Sequence, residues 1–196
     1  MLGAVHGKLV FTRRIRQLAA AIVERLPHGA RVLDVGCGSG DLAALVMQLR
    51  PDLRIEGIDV LVRPHTAIPV HAYDGAHIPF ADDSFDAAIV IDVLHHTDDP
   101  AAVLAEIGRV APLVLVKDHL RDGVAANLTL RFMDWVGNAA HGVRLPYNYL
   151  SSGEWSAVWQ RLGLRPTGFS TRLRLYPRPA SWLFDRRLHF VTALAR

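Results

Sequence analysis

The chain has 196 residues, of which 51% are hydrophobic and 21% are charged, and its formal net charge is +3. This length and composition fit a single domain with a sizeable core, residues 1–196, and exclude a disordered or low-complexity chain. The small net charge does not support nucleic-acid binding, so we expect no nucleic-acid partner, and the single Cys37 excludes an internal disulfide.

The first residues show no secretory leader, and no apolar run is long enough to span a membrane, so we expect a cytoplasmic protein. Positive charge is concentrated towards the carboxyl terminus: from Arg161 onward there are eight arginines and one acid, Asp185. Such a surface suits a membrane or an acidic substrate, although a solvated face is the more common explanation. The sequence does not determine the oligomeric state.

Hydrophobic periodicity predicts seven strands alternating with helices, as in an α/β fold. The predicted strands cover residues 32–35, 53–58, 68–73, 85–92, 113–116, 165–176 and 189–195. Helices are predicted over residues 13–26 with Thr12 as cap, after Gly40, after Pro100 with Asp99 as cap, over 128–135, and after a Ser151–Glu154 capping box.

The first strand runs directly into Gly36-x-Gly38-x-Gly40 and a second helix follows. Glycines between a strand and a helix let a ligand approach the backbone closely. The dinucleotide fingerprint requires a further Gly or Ala at the position of Asp41, which disfavours a nicotinamide-dependent oxidoreductase. A glycine-rich turn without a ligand is the simpler alternative.

Asp59 ends the second strand, about 20 residues beyond the glycine turn. Ligands bind at the carboxyl ends of strands in open α/β sheets, where such a carboxylate can accept both hydroxyls of a ribose. The alternative is a surface aspartate at a strand end. Only residues 61–67 then precede the third strand, too few for a crossover helix, so we expect a shortened crossover there.

Four segments follow one another in order along the chain: Asp34 with the glycine turn, Asp59, Tyr73-Asp74-Gly75, and Ser84-Phe85-Asp86 before an apolar strand. This series resembles the class I S-adenosylmethionine-dependent methyltransferases of the small-molecule, ubiquinone-biosynthesis-like type. The resemblance covers about residues 31–118. It implies a Rossmann-like, doubly wound, mostly parallel seven-stranded sheet with an antiparallel C-terminal hairpin. Residues 1–30 would then be an N-terminal helix, 31–118 the cofactor-binding core, and 119–196 the substrate wall and closing hairpin.

The same resemblance implies S-adenosyl-L-methionine as cofactor, with contacts along the carboxyl edge of the sheet. The implied contacts are Asp34, Gly36, Cys37, Gly38, Ser39 and Gly40 at the methionine end, Asp59 and Val60 at the ribose, Asp74 and Gly75 at the adenine, and Asp92 and Leu94 after the fourth strand.

Methyl transfer from a sulfonium is an in-line displacement, and a hydroxyl or acidic carbon acceptor benefits from a base such as histidine. His95 and His119 follow the fourth and fifth strands, so we expect these two to be catalytic and His96 to be structural. The polar stretch of residues 138–149, which lies between the fifth strand and the closing hairpin, supplies substrate-contact candidates: His141, Tyr147 and Tyr149. No Cys/His or acidic set shows metal-ligand spacing, so we expect no metal.

The sequence therefore predicts a methyltransferase acting on a small, partly apolar metabolite. A nicotinamide-dependent oxidoreductase and a non-catalytic S-adenosylmethionine-binding protein are the alternatives. An RNA substrate is disfavoured, because there is neither an Asn/Asp-Pro-Pro-aromatic tetrad nor an added RNA-binding module.

Overall fold

One seven-stranded sheet organises the protein. A computed structural model describes the backbone of residues 2–138 and 145–196, and the side chains of residues 12–137 and 145–196. The strands are β1 Arg31–Val35, β2 Arg54–Asp59, β3 Val70–Ala72, β4 Ala87–Ile91, β5 Leu113–His119, β6 Arg165–Ser170 and β7 His189–Ala195. Their order is β3-β2-β1-β4-β5-β7-β6. Strands β1 to β5 are parallel to one another, and β7 is antiparallel to both β5 and β6. The predicted fold class is confirmed.

Helices cover both faces of this sheet. They are α1 Leu2–Val23, α2 Asp41–Leu49, α3 Pro100–Val110, α4 Ala126–Asn138, α5 Ser152–Arg161 and the short α6 Ser181–Phe184, with a 3-10 helix at Leu94–His96. Successive residues of a strand point to opposite faces, so Val32 of β1 packs with α1 and α2, whereas Leu33 packs with α3 and α5. Among the described helices, none combines the length and the apolar character needed to cross a bilayer.

Two predicted helix starts are confirmed in atomic detail. The Asp99 side chain accepts hydrogen bonds from the N–H groups of Ala101 and Ala102, with Pro100 at the first helical position of α3. Ser151 and Glu154 form the reciprocal capping box at the start of α5. Local side-chain chemistry was sufficient to place the starts of α3 and α5, because the cap accepts hydrogen bonds from N–H groups that have no partner within the helix.

The shortened crossover is also confirmed: residues 60–69 connect β2 to β3 without a helix. The third strand is shorter than predicted. It lies at the edge of the sheet, pairs only with β2, and begins after Pro69, which has no N–H to donate. As a result, Val60, Leu61 and Val62 remain exposed beside the carboxyl edge.

Other boundaries were also predicted wrongly. Strand β5 ends at His119 instead of Val116, so His119 is the last residue of the strand and does not follow it. Helix α1 extends back to Leu2, so Thr12 lies within it and is not its cap; no proline precedes Pro27 to stop a helix earlier. Strand β6 ends at Ser170 instead of residue 176. Gly168 has a φ of 64°, and the register with β7 shifts between Thr167 and Ser170, which interrupts the ladder.

Candidate functional site

The glycine turn between β1 and α2 is tightly packed on one side and open on the other. Gly36 and Gly40 have φ values of 70° and 76°. A Cβ at Gly36 would lie 2.4 Å from Val93 Cγ2, and one at Gly40 would lie 2.5 Å from Ile68 Cγ1, so a side chain would clash at both. At Gly38, no heavy atom lies within 4 Å of the place a Cβ would occupy. The bare peptide at Gly38 is therefore open to a ligand.

The Asp59 carboxylate joins the end of β2 to this turn. Its Oδ2 accepts a hydrogen bond from the Gly38 N–H at 2.8 Å, and its Oδ1 accepts one from the Leu61 N–H at 2.8 Å. These bonds fix the orientation of the carboxylate. A carboxylate has about four lone-pair sites, so each oxygen can still accept a hydroxyl.

Asp34 lies buried on β1 beside this carboxylate. Burial raises the pKa of Asp34 to about 7, and the negative charge of Asp59 adds to the effect. Burial also raises the pKa of Cys37 to about 12, so the thiol stays protonated and unreactive. Ser39 Oγ donates to Asp41 Oδ2 at 2.7 Å, at the first residue of α2.

Asp74 organises the loop after β3. Its Oδ1 accepts hydrogen bonds from the N–H groups of Ala76 and His77 at 2.8 and 2.7 Å, and these bonds lower its pKa. Gly75 follows with a φ of 86°, where a Cβ would lie 3.2 Å from the Val60 side chain. Asp74, Gly75 and the exposed Val60 therefore lie together near the carboxyl ends of β2 and β3.

Asp92, directly after β4, is the centre of a partly buried ion cluster. Its Oδ1 pairs with the Lys117 ammonium and its Oδ2 with the Arg14 guanidinium from α1. Burial opposes ionisation of Asp92, but the two cations outweigh burial and hold its pKa well below the usual range. The next predicted contact, Leu94, begins the 3-10 helix and is fully buried in the core.

His95 and His119, on different elements, meet in the interior. Their Nδ1 atoms are 3.3 Å apart, and His95 Nδ1 is 2.7 Å from Asp118 Oδ1. Burial opposes protonation of His95, but the carboxylates, chiefly Asp118, outweigh it and raise its pKa to about 9. Burial and the positive charges of Lys117 and His95 lower the pKa of His119 to about 4. At neutral pH, His95 is therefore an imidazolium and His119 a neutral imidazole.

The inner face of α4 closes this cluster through Asp134. Asp134 Oδ2 accepts a 2.8 Å hydrogen bond from the Tyr149 hydroxyl, and its Oδ1 is 3.5 Å from His96 Nε2. The Tyr149 ring stacks on His95 at a centroid distance of 5.3 Å. Tyr149 is thus buried within the cluster instead of lining an open wall.

The other two predicted substrate contacts differ in what the structure shows. Tyr147 is half-buried with a φ of 59°, and the Arg131 guanidinium lies 4.3 Å from its ring centroid. His141 lies outside the described residues.

The histidines and aspartates include two sets whose geometry a cation could use. The ligand-type atoms of His95, Asp118 and His119 lie within 4.8 Å of one another, and so do those of His95, His96 and Asp134. His95 Nδ1 is at hydrogen-bond distance from Asp118, however, and the protonated ring already supplies a positive charge there. The expectation that no metal is needed stays a prediction.

Sequence reasoning missed most of the groups that surround Asp92 and these histidines: Arg14, Lys117, Asp118, Asp134 and His189. The Lys117-Asp118-His119 run at the end of an apolar strand was a usable signal, because charged side chains on a buried strand need partners. Arg14 and Asp134 sit in ordinary amphipathic helices, and nothing in their local sequence distinguishes them.

Known proteins match this chain in both sequence and fold. A family model described as "Methyltransferase domain" matches residues 9–167. A demethylmenaquinone methyltransferase of Renibacterium salmoninarum is 37% identical over 106 residues, covering 50% of this chain and 44% of the relative. The O-methyltransferase rstn1 of Aspergillus nomiae is 36% identical over 109 residues, covering 48% of each chain. The chain thus spans about half the length of these curated relatives.

Solved structures show the same fold at lower identity. A S-adenosylmethionine-dependent methyltransferase from Mesorhizobium loti has a TM-score of 0.66 and 19% identity, over 90% of this chain and 96% of that one. The 1,6-didemethyltoxoflavin-N1-methyltransferase of Burkholderia thailandensis, solved with S-adenosylhomocysteine bound, has a TM-score of 0.68 and 20% identity, over 93% and 78%.

Proposed function

Because the chain belongs to the methyltransferase-domain family, we propose that it binds S-adenosylmethionine and transfers the methyl group to a small, partly apolar metabolite. The observation that supports this most directly is the open peptide at Gly38, held by hydrogen bonding to the Asp59 carboxylate. A ligand can rest on the glycine turn while its sugar reaches the carboxylate at the end of β2. We also propose a cytoplasmic location and no nucleic-acid partner.

In this proposal the cofactor lies along the carboxyl edge of the sheet. Its methionine end contacts Asp34 and the turn from Gly36 to Gly40, including Cys37 and Ser39. Asp59 and Val60 hold the ribose, and the loop at Asp74 and Gly75 holds the adenine. Asp92 and Leu94 border the cofactor after β4. Ile78, which follows this loop, is buried in the core, so in this proposal the adenine ring rests on the exposed Val60 side chain.

The two catalytic histidines receive different roles. A neutral His119 can accept a proton from the acceptor, whereas His95, already protonated, can only stabilise negative charge that develops nearby. A base with a pKa of about 4 removes a proton effectively only from a group that is itself acidic. We therefore propose an acidic hydroxyl or an activated carbon as the acceptor, next to His119 and Tyr147.

Calorimetry with S-adenosylhomocysteine and, separately, with NADH tests the cofactor. We expect binding of the first alone, weakened at least about tenfold by Asp59→Ala, since that change removes the ribose acceptor. Asp83→Ala is the matched control, because Asp83 is an exposed aspartate that pairs with Arg196 at the opposite, amino edge of the sheet. Binding of NADH in place of the homocysteine compound would contradict the proposal.

Transfer of labelled methyl from S-adenosylmethionine to a pool of cell metabolites tests catalysis. We expect a labelled, organic-extractable product, formed equally with and without a chelator, because the charge around His95 is balanced without a metal. Cofactor binding without any labelled product would support the non-catalytic alternative instead. Loss of turnover on chelation, restored by one divalent ion, would overturn the prediction of no metal.

A further inference from the structure

Helix α4 is apolar on both sides, and the residues that the structure describes cover only one of them. Its inner face buries Ala126 and Leu130 and carries Asp134 towards the histidines. Its outer face exposes side chains at positions i, i+4, i+7 and i+8, which lie on one side of a helix. These are Leu128 (72% exposed), Phe132, Trp135 (58%) and Val136.

The short helix α6 extends this outer face. It contacts α4, and the following Arg186 donates a hydrogen bond from Nη2 to Thr129 Oγ1 of α4 at 3.1 Å. Trp182 of α6 is 70% exposed and Leu183 is also exposed. We call the exposed apolar side chains of these two helices the α4–α6 surface. It is formed by Leu128, Phe132, Trp135, Val136, Trp182 and Leu183.

An arginine-rich cavity adjoins this surface. The cavity has a volume of about 610 Å³, and Arg13, Arg174 and Arg178 line it together with Trp182. The acid in its lining is Asp185, whose two oxygens already accept hydrogen bonds from the N–H groups of Leu175 and Tyr176. Three guanidinium groups beside an exposed tryptophan favour an anionic group such as a phosphate.

Further arginines surround the α4–α6 surface. Arg131, Arg186 and Arg187 are exposed on or next to the two helices. Much of the positive charge that the sequence concentrates after Arg161 thus stands around apolar and aromatic side chains. Exposed tryptophans with arginines at their border are the pattern of a protein surface that enters the headgroup region of an anionic bilayer.

We propose that the α4–α6 surface docks on an anionic lipid bilayer, with a lipid phosphate in the cavity between Arg13, Arg174 and Arg178. The apolar side chains enter the outer part of the acyl region and the guanidinium groups remain among the headgroups. Charge complementarity selects this occupant. A second copy of the chain would bring the same arginines against each other.

The position of the α4–α6 surface also indicates the class of acceptor, an inference that rests on the proposed methyltransferase function. The inner face of α4 carries Asp134, which lies 3.5 Å from His96 Nε2 and closes the histidine cluster. A docked α4 therefore sets the acceptor site directly behind the bilayer surface. The acceptor class that fits is an amphiphile dissolved in the membrane, with its acidic group reaching His119.

Flotation with lipid vesicles tests the docking without any cofactor. We expect the protein to float with vesicles of phosphatidylglycerol mixed with phosphatidylcholine, and not with phosphatidylcholine alone. Trp135→Ser combined with Trp182→Ser should weaken this binding at least about tenfold, and so should Arg174→Gln combined with Arg178→Gln. Leu49→Ser and Arg54→Gln are matched controls, because both side chains are exposed at the opposite, amino edge of the sheet.

Quenching by brominated lipids locates the contact. The exposed Trp135 and Trp182 should be quenched, whereas Trp155 and Trp159, which are buried, should not. Equal flotation of the tryptophan variant and the wild type would overturn the proposal, as would a dimer in solution that the same variant dissociates. S-adenosylhomocysteine binding, measured separately on every variant, shows whether a failure concerns the membrane surface or the proposed function itself.

Discussion

His95 and His119 have Nδ1 atoms only 3.3 Å apart, yet they hold opposite protonation states at neutral pH. Both are buried, which disfavours the charged form of each. The difference arises from their neighbours, because Asp118 stabilises the proton on His95 while Lys117 and His95 itself repel one on His119. Two groups whose environments separate their pKa values in this way can divide the roles of base and charge stabiliser.

Replacement of His119 by alanine should leave cofactor binding intact and lower turnover. A general base contributes about a hundredfold or more, so we expect a loss of at least that size in kcat. Turnover of labelled methyl and calorimetry with S-adenosylhomocysteine measure the two effects. The control is His28→Ala, which changes an exposed histidine at the amino edge. Unchanged turnover in the His119 variant would show that the base is another group.

Asp34 gives a prediction about pH. Its raised pKa of about 7 means that the carboxyl is largely protonated below that pH in the free protein. The cationic amino group of the cofactor favours the ionised carboxylate, so binding should release a proton and weaken as pH falls below 7, by up to about tenfold per unit. Calorimetry in buffers of different ionisation enthalpy measures the proton. Asp34→Asn should remove both the proton release and the pH dependence; if the variant retains them, another group carries them.

Helix α3 depends on its cap. Asp99 accepts from two N–H groups at the start of the helix, and this end lies directly after the loop that contains His95 and His96. Removing such a cap typically costs about 1 kcal/mol. Asp99→Ala should therefore lower the free energy of unfolding in urea by about that amount, whereas Glu24→Ala, at an exposed position, should change it by less than about 0.5 kcal/mol. Equal effects of the two variants would contradict the assigned role of the cap.

The whole molecule brings ionisable groups of several elements into one interior cluster, so its stability should depend on pH on both sides of neutrality. The folded pKa of His95, about 9, exceeds its ordinary 6.5, so its contribution is complete below pH 6.5 and is lost as pH rises towards 9. The folded pKa of His119, about 4, is below 6.5, so its contribution is complete above pH 6.5 and is lost as pH falls towards 4. Burial also lowers the pKa of His189, so this histidine adds to the loss of stability at acid pH.

The free energy of unfolding in urea, determined from pH 4 to 9, measures the acid and the alkaline limb of this pH dependence. We expect His95→Gln to reduce the alkaline loss of stability and His119→Gln to reduce the acid loss, each relative to wild type. His28→Gln, on an exposed histidine, should change neither. If both limbs persist in both variants, the histidine cluster does not determine the pH dependence.

Local sequence determined the parts of this protein that depend on neighbouring residues. Backbone conformation, capping and burial of an apolar face are local requirements, so a few neighbouring residues specify them. The features determined in this way are the glycine turn, the caps at Asp99 and Ser151, the shortened crossover after Asp59 and the order of the apolar strand segments. The mostly parallel sheet followed from them.

Tertiary structure alone decided what the polar side chains do. Asp92, Arg14 and Lys117 come from three distant segments, and only their meeting in a site that is largely shielded from water sets their charges. The same holds for His95 and His119, which local sequence presented as two equivalent bases, and for Tyr149, which is buried against Asp134. Electrostatic effects act through space and grow as water is excluded, so no sequence interval encodes them.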